Sequence, residues 1–114
     1  LLDVNNVYVR GVNLGFDPWR YIEALPVERV REIHLAGFTR FPDTGGGTVL
    51  IDTHSAPVAD AVLDLYARTR ARFGAVPLLL EWDSGLPPLA GLVAEAERAA
   101  AWPAVRGAGE RRAG

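Results

Sequence analysis

The stretch VLIDTHSAP, residues 49–57, places an aspartate and a histidine two positions apart at the end of an apolar run. Side chains alternate along an extended chain, so Asp52 and His54 point the same way, about 6–7 Å apart. A carboxylate and an imidazole so placed are suited to gripping one cation. The pattern recurs elsewhere. Asp3 and Asn6 follow the leucines of LLDVNN, His34 sits inside VREIHLAG, and Glu81 closes three leucines in VPLLLEWD, with Asp83 two residues on. A carboxylate set behind apolar residues is costly to bury unless a cation or an arginine faces it. Asp3, Asn6, His34, Asp52, His54 and Glu81 together form an oxygen and nitrogen donor set without sulfur. Such a set suits iron, manganese, zinc or magnesium, and not copper(I) or an iron–sulfur cluster.

Each of these residues also has a plainer reading. His34 alone would be a hydrogen-bonded core histidine, and Asp52 a cap on the turn before SAPV. Asp3 and Asn6 would be Asx-turn residues, and Glu81 the partner of one of twelve arginines. The metal reading is favoured because the features recur at equivalent places. Other chemistries are less well supported. Ser55 and Ser84 lack the strand–turn–helix setting of a nucleophile elbow. Glu81 and Asp52 could pair as glycosidase carboxylates, but nothing in the sequence sets their separation. Gly45, Gly46 and Gly47 resemble a phosphate cradle only superficially, since no lysine follows and no helix starts there.

The elements that must position these residues follow a repeated grammar of strand, loop and helix. LLDVNNVYV, VREIHLAG (30–37) and VPLLLEWD (76–83) are the expected strands. Asp17-Pro18 supplies an N-cap and an N1 proline for a helix over PWRYIEAL. In PVADAVLDLYARTRARFG, residues Val58, Val62, Leu65, Tyr66, Thr69 and Phe73 form one stripe, with acids early, arginines late and Gly74 at the end. LPPLAGLVAEAERAAAW predicts a last helix with Leu89, Leu92, Val93 and Ala96 on its apolar face. TRFPDTGGGTVL (39–50) reads as the least structured part, and 102–114 as a flexible tail. Trp19, Trp82 and Trp102 read as packing residues, Trp82 also as a pocket wall beside Glu81. The pattern predicts a parallel α/β sheet covered on both faces, with the polar strand ends gathered on the rim where such folds bind ligands.

Composition bounds the rest. The chain has 114 residues, 49% of them hydrophobic, enough for one small domain with a core. A net charge of −2 and no dense basic run argue against nucleic acid. No cysteine is present, which removes disulfides, thiolate ligands and a cysteine nucleophile and is compatible with the cytoplasm, the expected location. No apolar run reaches the length of a membrane span, and LLDVNN lacks the charged region of a signal peptide. The chain has no methionine at all, so a piece of a longer or processed polypeptide is expected.

LLDVNNVYV, GFDPWRYIEALP, EIHLAG, IDTHSAPV and LLLEWD, in this order, resemble the multinuclear non-heme iron-dependent oxidase family, which includes the iron enzyme of methanobactin biosynthesis. The resemblance runs from Leu1 to about Ala100. It implies a triose-phosphate-isomerase-type barrel of the xylose-isomerase-like group, holding two or three iron ions. It also implies use of dioxygen to oxidise cysteines of ribosomally made precursor peptides, with a small partner protein delivering the peptide.

Carried across, Asn6 resembles the family's amide ligand and His34 its next histidine. Asp52 and His54 match the DTH motif, and Glu81 the late glutamate. Asp83 would be a nearby acid assisting proton transfer, and Asp3 a ligand or a support behind one. Two positions depart, since Phe38 and Leu14 stand where the family often has histidine. Barrels need eight strands, so residues 1–101 are expected to be about three βα units from the C-terminal part of the enzyme, inactive without the rest. The alternatives are a sugar isomerase or nuclease using zinc, manganese or magnesium, and a non-catalytic remnant or interaction module.

Overall fold

Burial of alternate residues on three short runs builds the sheet. In the computed structural model, which describes residues 1–103, β1 (Leu2–Asp3), β2 (Ile33–Ala36) and β5 (Leu78–Glu81) lie parallel in the order β1–β2–β5. The register pairs Leu2 with Ile33, Ile33 with Leu78 and Leu35 with Leu80. Leu2, Ile33 and Leu35 are buried, and Leu78 and Leu80 pack against them. The other face carries Asp3 opposite His34, Leu79 opposite His34, and Glu81 opposite Ala36. Leu79 remains 45% exposed there. Cover on both faces was the expectation. The observed sheet, among the described residues, is an α/β layer with one apolar face and one ionisable face, and no barrel closes.

LLDVNNVYV is a strand for two residues only. Asp3 then caps α1 (Val4–Leu14), its Oδ1 accepting from Asn6 N at 2.9 Å. Each valine costs a helix at most about 0.7 kcal/mol relative to alanine. Burying Val4, Val7 and Val9 returns about 1.5 kcal/mol or more apiece, so packing overrides the β-branched signal. Gly15, at φ 83°, ends the helix with its N–H on Gly11 O. α2 (Pro18–Glu23) starts as predicted, with Asp17 accepting from Trp19 N, and a 3-10 turn (Val27–Arg29) leads into β2.

The segment expected to be least structured is a hairpin. β3 (Thr39–Pro42) and β4 (Thr48–Ile51) pair antiparallel, closed by Asp43 N donating to Gly47 O at 2.9 Å. Asn13 of α1 holds the free edge of β4, accepting from Leu50 N at 2.9 Å and donating to Leu50 O at 2.8 Å. The hairpin therefore delivers Asp52, the residue after β4, back toward α1.

α3 (Asp60–Phe73) buries Val62, Leu65, Tyr66, Thr69 and Phe73, and Val58 before it is buried too. Gly74 caps it through Arg70 O. α4 (Leu89–Ala101) differs from expectation, because Leu89 is 76% and Val93 48% exposed. The helix instead docks through the buried Ala99 and through Glu95 and Arg98, whose polar contacts to Val58 fix its rotation. Trp102 follows, donating its indole N–H to Asp64 at 2.7 Å while its carbonyl accepts from Arg70 at 2.9 Å. The remainder of the expected tail, 104–114, lies outside the described residues. No helix among the described residues is long and apolar enough to cross a membrane.

Candidate metal centre

Three elements converge at one end of the sheet. β1 ends at Asp3, α1 begins with Asn5 and Asn6 in its first turn, and the chain leaving β4 brings Asp52 and His54. One ligand atom each from Asp3, Asp52 and His54 lies within 4.8 Å of the others. Asn5 is wholly buried and donates from Nδ2 to Asp52 Oδ1 and, at 3.4 Å, to Gly37 O. Asn6 Nδ2 reaches Asp52 Oδ2 at 3.4 Å. The aspartate is thus held by two amides from the helix start.

His54 is shaped by its neighbours. Its backbone is left-handed, at φ 57°, a conformation costing a non-glycine residue about 1–2 kcal/mol. The surroundings enforce it. His54 N donates to Gly37 O at 3.1 Å, and Asp83 N donates to His54 O at 2.6 Å. Gly37 permits the approach, since a Cβ there would lie 2.0 Å from Ala56 O. The ring bonds through Nδ1 to Asp83 Oδ2 at 2.9 Å. Nε2 lies 2.8 Å from Asp52 Oδ1, yet it is buried and makes no hydrogen bond. A buried polar atom left without a hydrogen bond calls for a partner outside the chain's own side chains.

Electrostatics agree. Burial raises the pKa of Asp3, and the Asp52 and Glu81 charges add to it against the Asn6 N–H. Burial alone would lower the pKa of His54, but Asp52, Asp83 and Glu81 outweigh it and raise the value. The cluster holds surplus negative charge. Asn5 Oδ1 is also buried without a hydrogen-bond partner. Two orphaned lone-pair atoms beside two carboxylates fit a divalent cation of the hard-to-borderline class.

His34 and Glu81 form an adjoining pair. His34 Nδ1 lies 3.3 Å from Glu81 Oε1, and its Nε2 bonds to Glu32 Oε2 at 3.0 Å. They share the ionisable face of the sheet with Asp3 but stand outside the tight three-residue group.

The model of the family described as RiPP precursor modification enzyme MbnB/TglH/ChrH matches residues 1–104. The chain belongs to this family. A UPF0276 protein of Bordetella bronchiseptica is 57% identical over 101 residues, covering 89% of this chain and 35% of its own. A UPF0276 protein of Caulobacter vibrioides is 54% identical over 101 residues, with the same shares. One from Anaeromyxobacter is 52% identical over 100 residues, 88% of this chain and 34% of its own. The chain thus spans about a third of the length of the curated relatives it matches.

Phe38 and Leu14, the positions where the resemblance leads one to expect histidine, fall in different settings. Phe38 is buried, stacked on Tyr8 at 5.7 Å, with the Arg40 guanidinium over its ring. Leu14 is 68% exposed at the end of α1. Two polar residues escaped the sequence reading. The extended pattern of LLDVNNVYV favours Asn6, whereas the capped helix that forms there turns Asn5 inward. Glu32 could have been found, because Glu32 and His34 repeat the acid-x-His spacing of Asp52 and His54.

Proposed function

We propose that this chain is the metal-bearing C-terminal portion of a barrel enzyme that uses iron and dioxygen to modify cysteines of a ribosomally made precursor peptide. Membership of a precursor-modification family supports the peptide substrate, and a one-third share of its relatives' length supports the reading as a portion. One observation carries the metal part. Asp3, Asp52 and His54 each bring a ligand atom within 4.8 Å of the others, and His54 Nε2 is buried and unbonded.

His54 through Nε2, Asp52, Asp3 and Asn5 Oδ1 would hold a first cation, with His34 and Glu81 beside it for a second. Iron, when bound, supplies the electrons for dioxygen and the positive charge that attracts a thiolate. The chain's own residues prepare that site. Asp83 keeps the proton on His54 Nδ1 and so frees Nε2. Asn5 and Asn6 aim both oxygens of Asp52. Asp83 is 68% exposed and in this reading would also take the proton released by an arriving thiol. Asp3 stays anchored because its Oδ1 also caps α1. A small protein that delivers the peptide belongs to the same reading.

The test is elemental analysis of the 114-residue chain after anaerobic exposure to ferrous ion and desalting, beside His54→Ala. Iron retained by the parent and lost from the variant is expected. Folded parent protein that retains no iron would overturn the reading. Retention of zinc or manganese in preference to iron would replace the oxidase with an isomerase or nuclease.

A further inference from the structure

The two histidines of this chain are built to one plan with a reversed outcome. Each follows an acid by two positions, Glu32 before His34 and Asp52 before His54. In each, Nε2 faces that preceding acid and Nδ1 faces an acid of the segment Glu81-Trp82-Asp83. The hydrogen bonds fall on opposite nitrogens. His34 bonds through Nε2 to Glu32 at 3.0 Å, whereas its Nδ1 stands 3.3 Å from Glu81. His54 bonds through Nδ1 to Asp83 at 2.9 Å, whereas its Nε2 faces Asp52 without a bond. An ionised carboxylate only accepts, so the bonded nitrogen must carry the proton.

We infer that Glu32 and Asp83 are matched positioning residues that lock the two imidazoles in opposite tautomers. His34 is protonated at Nε2 and offers Nδ1, and His54 is protonated at Nδ1 and offers Nε2. The bare nitrogens then face Glu81 and Asp52, the carboxylates on the side of the proposed centre. A carboxylate behind a ligating imidazole fixes the ring and its tautomer and raises its basicity. The Glu32 side chain is 44% exposed, while its backbone carbonyl accepts from Leu2 N in the sheet, so the bond to His34 is the one evident task of the carboxylate. The metal relevance of these tautomers rests on the function proposed above. The tautomers themselves do not.

The chain holds only two histidines, so selective nitrogen-15 labelling gives two resolvable imidazoles. Long-range proton–nitrogen spectra of the metal-free 114-residue chain, with chelator at about pH 9, above the usual histidine range, read each tautomer directly. One ring of each kind is expected. Two rings of the same tautomer, or either ring averaging between both, would overturn the inference. Glu32→Leu should release His34 into averaging while the His54 pattern persists as an internal standard of folding. Glu32→Gln keeps an acceptor oxygen and should restore the single tautomer. A His34 pattern unchanged in Glu32→Leu would remove Glu32 from its role. Cobalt(II) titration forms the second arm, with about 10–100-fold weaker binding expected in Glu32→Leu and recovery in Glu32→Gln. If the parent binds no cobalt, the metal reading fails and the spectra still decide the tautomers.

Discussion

Glu95 and Asp3 are carboxylates that the fold partly withdraws from water, yet it treats them in opposite ways. Glu95 accepts from Val58 N at 2.7 Å and from Arg98 through both oxygens at 3.0 Å. Arg98 in turn donates to Val58 O at 2.6 Å and to Asp60 at 3.3 Å, and lies over Trp102. Burial would raise the pKa of Glu95, but Arg98 and the Val58 N–H outweigh it and lower the value. At Asp3 the burial effect prevails, reinforced by Asp52 and Glu81. Both regions act on the same stretch, since Val58 lies four residues past His54. One region is complete, with an arginine for its acid and a donor for each oxygen of Glu95. In the other, among the described residues, the acids face histidines and no arginine reaches them. A network that closes on itself holds structure, and one left open by the chain's own side chains points to a ligand.

The severest way to break this division is to disturb what joins the two regions. Gly37 receives Ala56, midway between His54 and Val58, and its carbonyl also accepts from His54 N. Gly37→Ala places a methyl carbon 2.0 Å from a backbone oxygen that Val58 prevents from yielding far. A loss of about 3 kcal/mol, the upper end for overpacking, is expected in urea unfolding. Metal binding should fall with it. A change under about 0.5 kcal/mol would show that the loop is not pinned.

Swapping acid for amide sharpens the contrast. Glu95→Gln keeps the shape but loses the charge-assisted bonds, and should lower metal-free stability by about 1 kcal/mol, since water screens the one-third-exposed Arg98. Asp3→Asn keeps the helix cap, since asparagine caps as well as aspartate, and relieves repulsion from Asp52. Its metal-free urea midpoint should stay level or rise, while the stabilisation given by added ferrous ion shrinks. Equal losses in both variants would mean the cluster is an ordinary structural network.

Much of this arrangement was legible because local signals and packing agree there. Asp17-Pro18 and the stripe from Val58 to Phe73 are examples, and so are the two-residue spacings that bring acids beside histidines. The misses arose where tertiary context decides. VNNVYV looks extended by propensity, but its valines gain more by burial on a helix than β-branching costs. The glycine run hides a hairpin, since pairing of Thr39–Pro42 with Thr48–Ile51 and the Asn13 bridge are long-range facts. On α4, hydrophobicity marked the Leu89–Val93 face, whereas the Glu95–Arg98 contacts to Val58 set the rotation and leave that face open.

The smallest expected effect is on pH dependence, where the two regions differ in sign. Glu95 has a lowered folded pKa, so its contribution is present above the ordinary glutamate value and is lost as pH falls through the lowered one. Asp3 has a raised folded pKa, so its protonated form favours the fold, and that contribution is lost as pH rises through the raised value. Metal-free urea midpoints should therefore decline on the acid side through Glu95. Glu95→Gln, already less stable, should lose that part of the acid limb and show a flatter profile below about pH 4. Asp3→Asn should leave the acid limb of Glu95 in place, because the clamp keeps its own arginine. The change is expected to stay under about 1 kcal/mol, since Arg98 is one-third exposed and water screens the pair. If Asp3→Asn flattened the acid limb instead, the clamp and the cluster would be one coupled network.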